Sequence, residues 1–121
     1  MKKRALVVDD NEKNLLLEKD LLEVAGFDVF EAENAADAIA MARKEKPDII
    51  LMDVRLPDMR GTVAARILRQ DKATSDIPII FVTSSVMAEG IEEIKDIADT
   101  GFISKPINTR TFVKDIIKFI K

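Results

Sequence analysis

Four places in the sequence carry groups that could do chemistry together. Asp9 and Asp10 follow the apolar run Ala5–Val8, and Asp53 follows Ile49–Met52. Thr83 and Ser84 follow Ile79–Val82, and Ser104, Lys105 and Pro106 follow Phe102–Ile103. Three carboxylates brought close repel one another and call for a cation. A hard divalent ion with oxygen ligands fits, and Mg2+ suits best because it takes few carboxylates and keeps several waters. A metal ion and an ammonium beside an aspartate are the parts a phosphoryl transfer needs. They neutralise charge on the oxygens of the moving group and hold it in line. Asp53 is then the expected nucleophile, since a carboxylate can form an acyl phosphate, and Thr83 is placed to hydrogen-bond a phosphoryl oxygen. Taken singly, each residue has a plainer reading. An acid after a strand is commonly a cap or turn residue, and Thr83 a cap or a solvated hydroxyl. Lys105 alone is a surface lysine with a buried stem, and Phe102 a core strand residue. The joint pattern, with complementary groups at four strand ends in chain order, favours the chemical reading.

Such groups meet only if the runs before them lie side by side. Five short apolar runs recur, Ala5–Val8, Val29–Ala32, Ile49–Met52, Ile79–Val82 and Phe102–Ile103. Most are near-continuous Val, Ile, Leu or Phe, the pattern of strands buried on both faces in a parallel sheet. Amphipathic stretches alternate with them. Asn14–Ala25 stops at Gly26. Ala35–Lys44 carries Ala36, Ile39, Ala40 and Arg43 at helical spacing and ends near Pro47. Thr62–Arg69, Met87–Ala98 and Thr109–Ile120 supply three more. In the last, Phe112, Val113, Ile116, Ile117, Phe119 and Ile120 cover an arc of roughly 160° at about 100° per residue.

This βα unit repeated five times predicts one α/β domain over residues 1–121, a doubly wound, flavodoxin-like parallel sheet of order 2-1-3-4-5. Open sheets of this kind build their sites at the carboxyl ends of the strands. Strand 2, which ends without a distinctive polar group, lies away from the crevice in that order. No linker, low-complexity segment or further repeat is visible.

Composition narrows the function. The chain has 121 residues, 47% hydrophobic and 34% charged, an ordinary globular balance. Its net charge of −3 offers no basic footprint for a phosphate backbone, so no nucleic-acid partner is expected. The absence of cysteine excludes disulfides and thiolate sites, and the absence of histidine removes the commonest general base. Catalysis must come from carboxylates, hydroxyls and lysine. The apolar run in the opening MKKRALVVDD is too short for a signal peptide or a membrane span, which gives the expectation of a cytoplasmic protein without a membrane partner.

Along its whole length the sequence resembles the receiver domain of two-component response regulators. The stretches that carry the resemblance are Leu6-Val7-Val8-Asp9-Asp10-Asn11 and Pro47-Asp48-Ile49-Ile50-Leu51-Met52-Asp53. Leu56-Pro57-Asp58-Met59 with Gly61, Val82-Thr83-Ser84 and Gly101-Phe102-Ile103-Ser104-Lys105-Pro106-Ile107 complete them. It is most similar to stand-alone phosphorelay regulators and hybrid-kinase receivers, to which Asn11 and Asn14 also fit. The resemblance implies Asp53 as the phosphoacceptor. It implies Asp10, Asp53 and the main-chain carbonyl of Arg55 as direct Mg2+ ligands, with Asp9 acting through water. Lys105 becomes the partner of Asp53 and then of the phosphoryl group. Thr83 is the switch hydroxyl, Phe102 the switch aromatic, Ser84 a backbone N–H donor, and Lys105–Pro106 a cis peptide. The chain departs from the pattern at Ala98, where glycine is usual. Gly90, which costs about 1 kcal/mol relative to alanine inside a helix, leaves the bounds of the fourth helix open.

The expected function is a phosphorylation switch. A histidine kinase or histidine phosphotransfer protein donates the group, since this chain has no histidine. The added charge and acceptor oxygens draw in Thr83, let Phe102 fill the vacated space, and alter the surface formed by the fourth helical stretch, the fifth strand and the last helix. As the sequence ends after that helix, output is expected through a downstream protein or onward phosphotransfer. Arg55 and Ser85, two residues beyond Asp53 and Thr83, are expected to tune phosphoryl lifetime; neither offers an acid or amide to orient water. Lys13, Asn14 and Leu17 share one side of the first helix near the site and are the expected donor-docking residues. Leu16, among Glu12, Asp20 and Glu23, is open to three readings: an incidental apolar side chain on a charged face, the usual case, an extension of that surface, or a weak homodimer contact. Two alternatives stand beside the switch. One is a Mg2+-dependent phosphatase with an aspartate nucleophile, of the haloacid dehalogenase type, against which the Asp-Asp-Asn after strand 1 and the lack of a cap insertion count. The other is a receiver fold used only for docking. Nucleotide binding is disfavoured because no glycine-rich loop follows strand 1.

Overall fold

The computed structural model of the chain describes residues 2–84 and 96–120. Five strands, β1 (Arg4–Val8), β2 (Asp28–Ala32), β3 (Ile49–Met52), β4 (Ile79–Thr83) and β5 (Thr100–Ser104), form one sheet of order β2-β1-β3-β4-β5, every neighbouring pair parallel. This is the doubly wound order expected from the sequence. Four helices are described, α1 (Glu12–Val24), α2 (Ala35–Glu45), α3 (Gly61–Gln70) and α4 (Phe112–Ile117). No helix among the described residues is long and apolar enough to cross a membrane.

Alternate side chains of the central strands point to opposite faces and divide the interior in two. One face joins Leu6, Val8, Ile50, Met52, Ile79 and Phe81 to the alanine-rich α2 and to α3. The other joins Val7, Leu51, Ile80 and Val82 to Leu15 and Leu22 of α1 and to Phe112 and Ile116 of α4. Strands β3 and β4 are buried throughout, whereas the residues of the edge strand β5 are all at least partly exposed.

Element bounds move where polar side chains or backbone turns take over from periodicity. The first helix starts at Glu12 rather than Asn14, because the Asn11 side chain accepts hydrogen bonds from the Lys13 and Asn14 N–H groups. After it, Gly26 adopts φ +95°, the left-handed turn that favours glycine. The last helix is shorter than the expected Thr109–Ile120. Asn108 organises a turn before it, accepting from Arg110, Thr111 and Phe112, and Phe119 and Ile120 bond three residues back rather than four. The fifth strand is longer than Phe102–Ile103, since Thr100 and Gly101 pair with Ile79 and Ile80. Ser85, Gly90 and most of the expected helix over 87–98 lie outside the described residues. At its expected end, residues 96–99 form turns, not helix. The left-handed position falls on Asp99 (φ +55°), a residue type that tolerates it, rather than on the glycine missing at Ala98.

Candidate functional site

The carboxyl ends of β1, β3, β4 and β5 lie at one edge of the sheet, and parallel register brings them level. Val8 pairs with Met52, and Thr83 with Ser104. Asp9 N–H donates to Ala32 O and Asp53 N–H to Val8 O, so both acids are held by ladder bonds that run one residue past their strands. The turn from β5 is fixed likewise by Lys105 N–H on Thr83 O, and the Lys105–Pro106 peptide is cis.

Lys105 is the centre of the arrangement. Its Nζ lies 2.7 Å from Asp9 Oδ2 and 2.7 Å from Asp53 Oδ2. The Asp9 side chain is 2% exposed and that of Asp53 is 14% exposed, so these charge-assisted bonds are largely shielded from water. Burial would lower the Lys105 pKa, but the bonds it donates to Asp53 and Asp9 outweigh burial and hold it above the ordinary lysine value. The second oxygens are also engaged: Asp9 Oδ1 accepts from Asn11 N–H and Asp53 Oδ1 from Arg55 N–H. The expected Lys105–Asp53 pair is present, and the second bond to Asp9 is an addition.

Asp10 is exposed and has no hydrogen-bond partner among the described residues. One ammonium therefore faces two carboxylates, with Asp10 next in the chain after Asp9, and all the negative donors are oxygen. That chemistry fits a hard divalent ion. The spacing is not that of a finished cage: among the described residues, no group of three acidic side chains is disposed to hold a metal. Thr83 is buried and Ser84 exposed at the end of β4. Phe102 is half-buried on β5, its ring centroid 5.8 Å from that of Phe81. Arg55 is exposed beside Asp53. On α1, Lys13 and Leu17 are exposed and Asn14 partly so. Leu17 (38% exposed) and Leu16 (57%) both stand outside the core.

Three site-building residues carry more than their motif suggests. Gly61 opens α3 directly against the Asp53 backbone: its N–H donates to Val54 O at 2.7 Å, and a Cβ there would lie 2.2 Å from Asp53 O. Asp58 reaches across to cap α2, accepting from the Ala35 and Ala36 N–H groups, which lowers its pKa. Glu18 was hidden by its type. It lies between Leu15 and Leu22 at core spacing (i, i+3, i+7), and that spacing was the signal that could have found it.

Residues 5–117 match the family model described as response regulator receiver domain. The chain is 35% identical over 120 residues to the polar-differentiation response regulator DivK of Brucella anthropi, covering 99% of this chain and 98% of that protein. Its fold superposes on the chemotaxis response regulator CheY4 of Vibrio cholerae with a TM-score of 0.92 and 28% identity, over 99% of this chain and 100% of that one. At 24% identity it shares the fold of the receiver domain of a Pseudomonas aeruginosa sensor histidine kinase (TM-score 0.89, 98% of each chain), a structure with a magnesium ion coordinated in its active-site cleft. With a match that runs from the first core strand through the last helix, and a relative of the same length, the chain belongs to the response regulator receiver domains of two-component signalling.

Proposed function

We propose that this chain is a phospho-acceptor switch in which Asp53 takes a phosphoryl group from a phosphohistidine of a histidine kinase or histidine phosphotransfer protein. An Asp53 oxygen forms the new P–O bond while the P–N bond to the donor imidazole breaks, and the imidazole leaves with the electron pair and takes up a proton. The observation that carries the reading is the Lys105 ammonium held 2.7 Å from Asp53 at the carboxyl edge of a parallel sheet, where the carboxylate is still reachable from solvent. Lys105 neutralises Asp53 before transfer and is within reach of the phosphoryl oxygens after it. Mg2+, when bound, would neutralise charge on those oxygens, with Asp10, Asp53 and the Arg55 carbonyl as direct ligands and Asp9 in the outer shell. The magnesium-bearing Pseudomonas receiver and the oxygen-only donor set here support that choice.

The Thr83 hydroxyl and the Ser84 N–H are the donors at the end of β4 nearest to where the group would arrive. Phe102, packed on Phe81 at the edge of the core, is the aromatic that responds, and the β5 and α4 surface is the output a downstream protein reads. Arg55 shields the site and, with Ser85, lengthens the phosphoryl lifetime; Ser85 lies outside the described residues. Turnover of a separate phosphate ester is not part of this function. The site belongs to a cytoplasmic signalling protein that at most hydrolyses its own phosphoaspartate.

Acetyl phosphate with Mg2+, followed by mass spectrometry, tests the reading. One phosphate adduct is expected on the chain and none on Asp53→Asn. An equal adduct on Asp53→Asn sinks the nucleophile assignment, and no adduct on either protein leaves a docking module. The α1 face is tested by a dissociation between donors. Substituting Lys13 or Asn14 should slow transfer from a histidine protein yet leave acetyl phosphate labelling nearly intact. Equal slowing with both donors would place those residues in the chemistry or the fold.

A further inference from the structure

Glu18 is the one ionisable side chain in the core-facing stripe of α1. It is 1% exposed, and its Oε2 is buried without a hydrogen-bond partner among the described residues. Side chains on a helix lean toward its N-terminus. The N-terminus of α1 lies beside Asp9 and Asp10, so a long side chain at position 18 carries its carboxyl up toward the strand ends. The charges it meets there are Asp9 at the end of β1, Asp53 at the end of β3 and Lys105 at the end of β5. No hydrogen bond joins it to any of them among the described residues, so the coupling is through space.

Other charges around α1 are occupied elsewhere. On β2, Glu31 pairs with Lys19 of α1 and Asp28 with Lys2, and at the start of β1 Arg4 pairs with Glu45. On α4, Asp115 pairs with Lys118, and Lys114 is exposed. Asp20 and Glu23 of α1 itself point to solvent. Burial first, then the Asp9 charge, pushes the Glu18 pKa up to about 8; Lys105 opposes this and Asp53 adds to it. An unpaired carboxylate in this position would be a third negative charge, after Asp9 and Asp53, beside a single ammonium.

We infer that Glu18 is a positioning residue for the cation of the Asp53 site: it is a neutral acid while the site holds only Lys105, and gives up its proton to solvent when a divalent cation joins Asp10 and Asp53. The inference rests on the reading of Asp53 as a Mg2+-assisted phosphoacceptor and adds a proton to its cycle. A doubly charged ion offsets the negative charge of the site that Glu18 faces, so the buried anion becomes easier to form. Linkage makes the effect reciprocal, because an ionised Glu18 must strengthen cation binding by the same factor by which the cation favours its ionisation.

The test is a carboxyl 13C NMR titration of the whole chain, with and without MgCl2, beside a calorimetric Mg2+ titration from pH 6.5 to 9.5. In wild type one glutamate resonance, missing from Glu18→Gln, should titrate near pH 8 without metal. Saturating Mg2+ should move its midpoint down by about one pH unit, and Mg2+ affinity should rise about tenfold across that range, the two being the same free energy. Glu18→Gln should lack that rise. A Glu18 midpoint in the ordinary carboxylate range, or one near 8 that ignores Mg2+, overturns the inference and leaves the phosphoacceptor reading intact. Absence of Mg2+ binding in both proteins overturns the two together. The wild-type titration stands without the variant, so a poorly folded Glu18→Gln does not shelter the idea.

Discussion

The two faces of the sheet are built to different rules. The face under α2 and α3 is closed by small residues, Ala35, Ala38, Ala42, Ala64 and Ala65, which let helix backbones approach the strands closely. Its buried Thr74 hydroxyl is satisfied by Leu68 O at 2.6 Å. The face under α1 and α4 is filled by larger side chains, among them Leu15, Leu22, Phe112 and Ile116, and it takes in Glu18 with an oxygen unpaired. One face fixes the backbone of the loop after Asp53. The other tolerates a polar misfit beneath the charged groups.

The largest effect expected from this contrast is a pH dependence located at Glu18. Its carboxyl has a raised pKa of about 8, against 4.5 for the ordinary group. Between those values the unfolded chain has released a proton that the native chain still holds, so native stability falls as pH rises, and above about pH 8 the loss is complete. Its full extent is on the order of 5 kcal/mol. Urea unfolding of wild type and Glu18→Leu at pH 5 and pH 8.5 measures it. Glu18→Leu should be the more stable at pH 8.5 and should lack this part of the pH slope; parallel slopes would erase the distinction between the faces.

Next is Gly61→Ala on the first face. The new Cβ would fall 2.2 Å from Asp53 O, a main-chain atom that cannot step aside without moving Asp53 itself. A loss of about 3 kcal/mol is expected, with weaker labelling by acetyl phosphate. Asp58→Ala, which removes acceptors for two α2 N–H groups, should lower the unfolding midpoint by less than Gly61→Ala does. Smallest is Gly101→Ala on the second face. Its Cβ would meet the tip of the Phe119 ring at 2.5 Å, and that half-buried ring can turn away, so less than about 1 kcal/mol is expected. Comparing the Gly61→Ala and Gly101→Ala unfolding midpoints sharpens the contrast most directly, since the chemical change is identical. Equal losses would contradict it.

Much of this architecture was legible because a parallel sheet buried on both faces writes its strands as unbroken apolar runs, as Ile49–Met52 and Ile79–Val82 do. The site was legible for a related reason: such sheets gather function at the carboxyl ends, and the polar residues after those runs could be read in order. Contacts between distant segments were not legible. Nothing local in Asp58 says that it caps a helix beginning at residue 35, or in Gly61 that its missing side chain admits the Asp53 carbonyl. Periodicity also overran the last helix, because Phe119 and Ile120 stay partly buried after the four-residue bonding has ended. Glu18 was missed because an acid in a helix is expected to face water.

The Asp58 cap also bears on the order in which the chain folds. The first turn of α2 leaves N–H groups that no residue of the helix can satisfy. Asn34 answers the Asp37 N–H, while Ala35 and Ala36 wait for a carboxylate 23 and 22 residues further along the chain. That carboxylate arrives only when β3 has paired with β1 and the loop after Asp53 has closed. The start of α2 is thus completed by a non-local contact, and its amides should gain protection from hydrogen exchange together with those of β3, later than the locally capped start of α1.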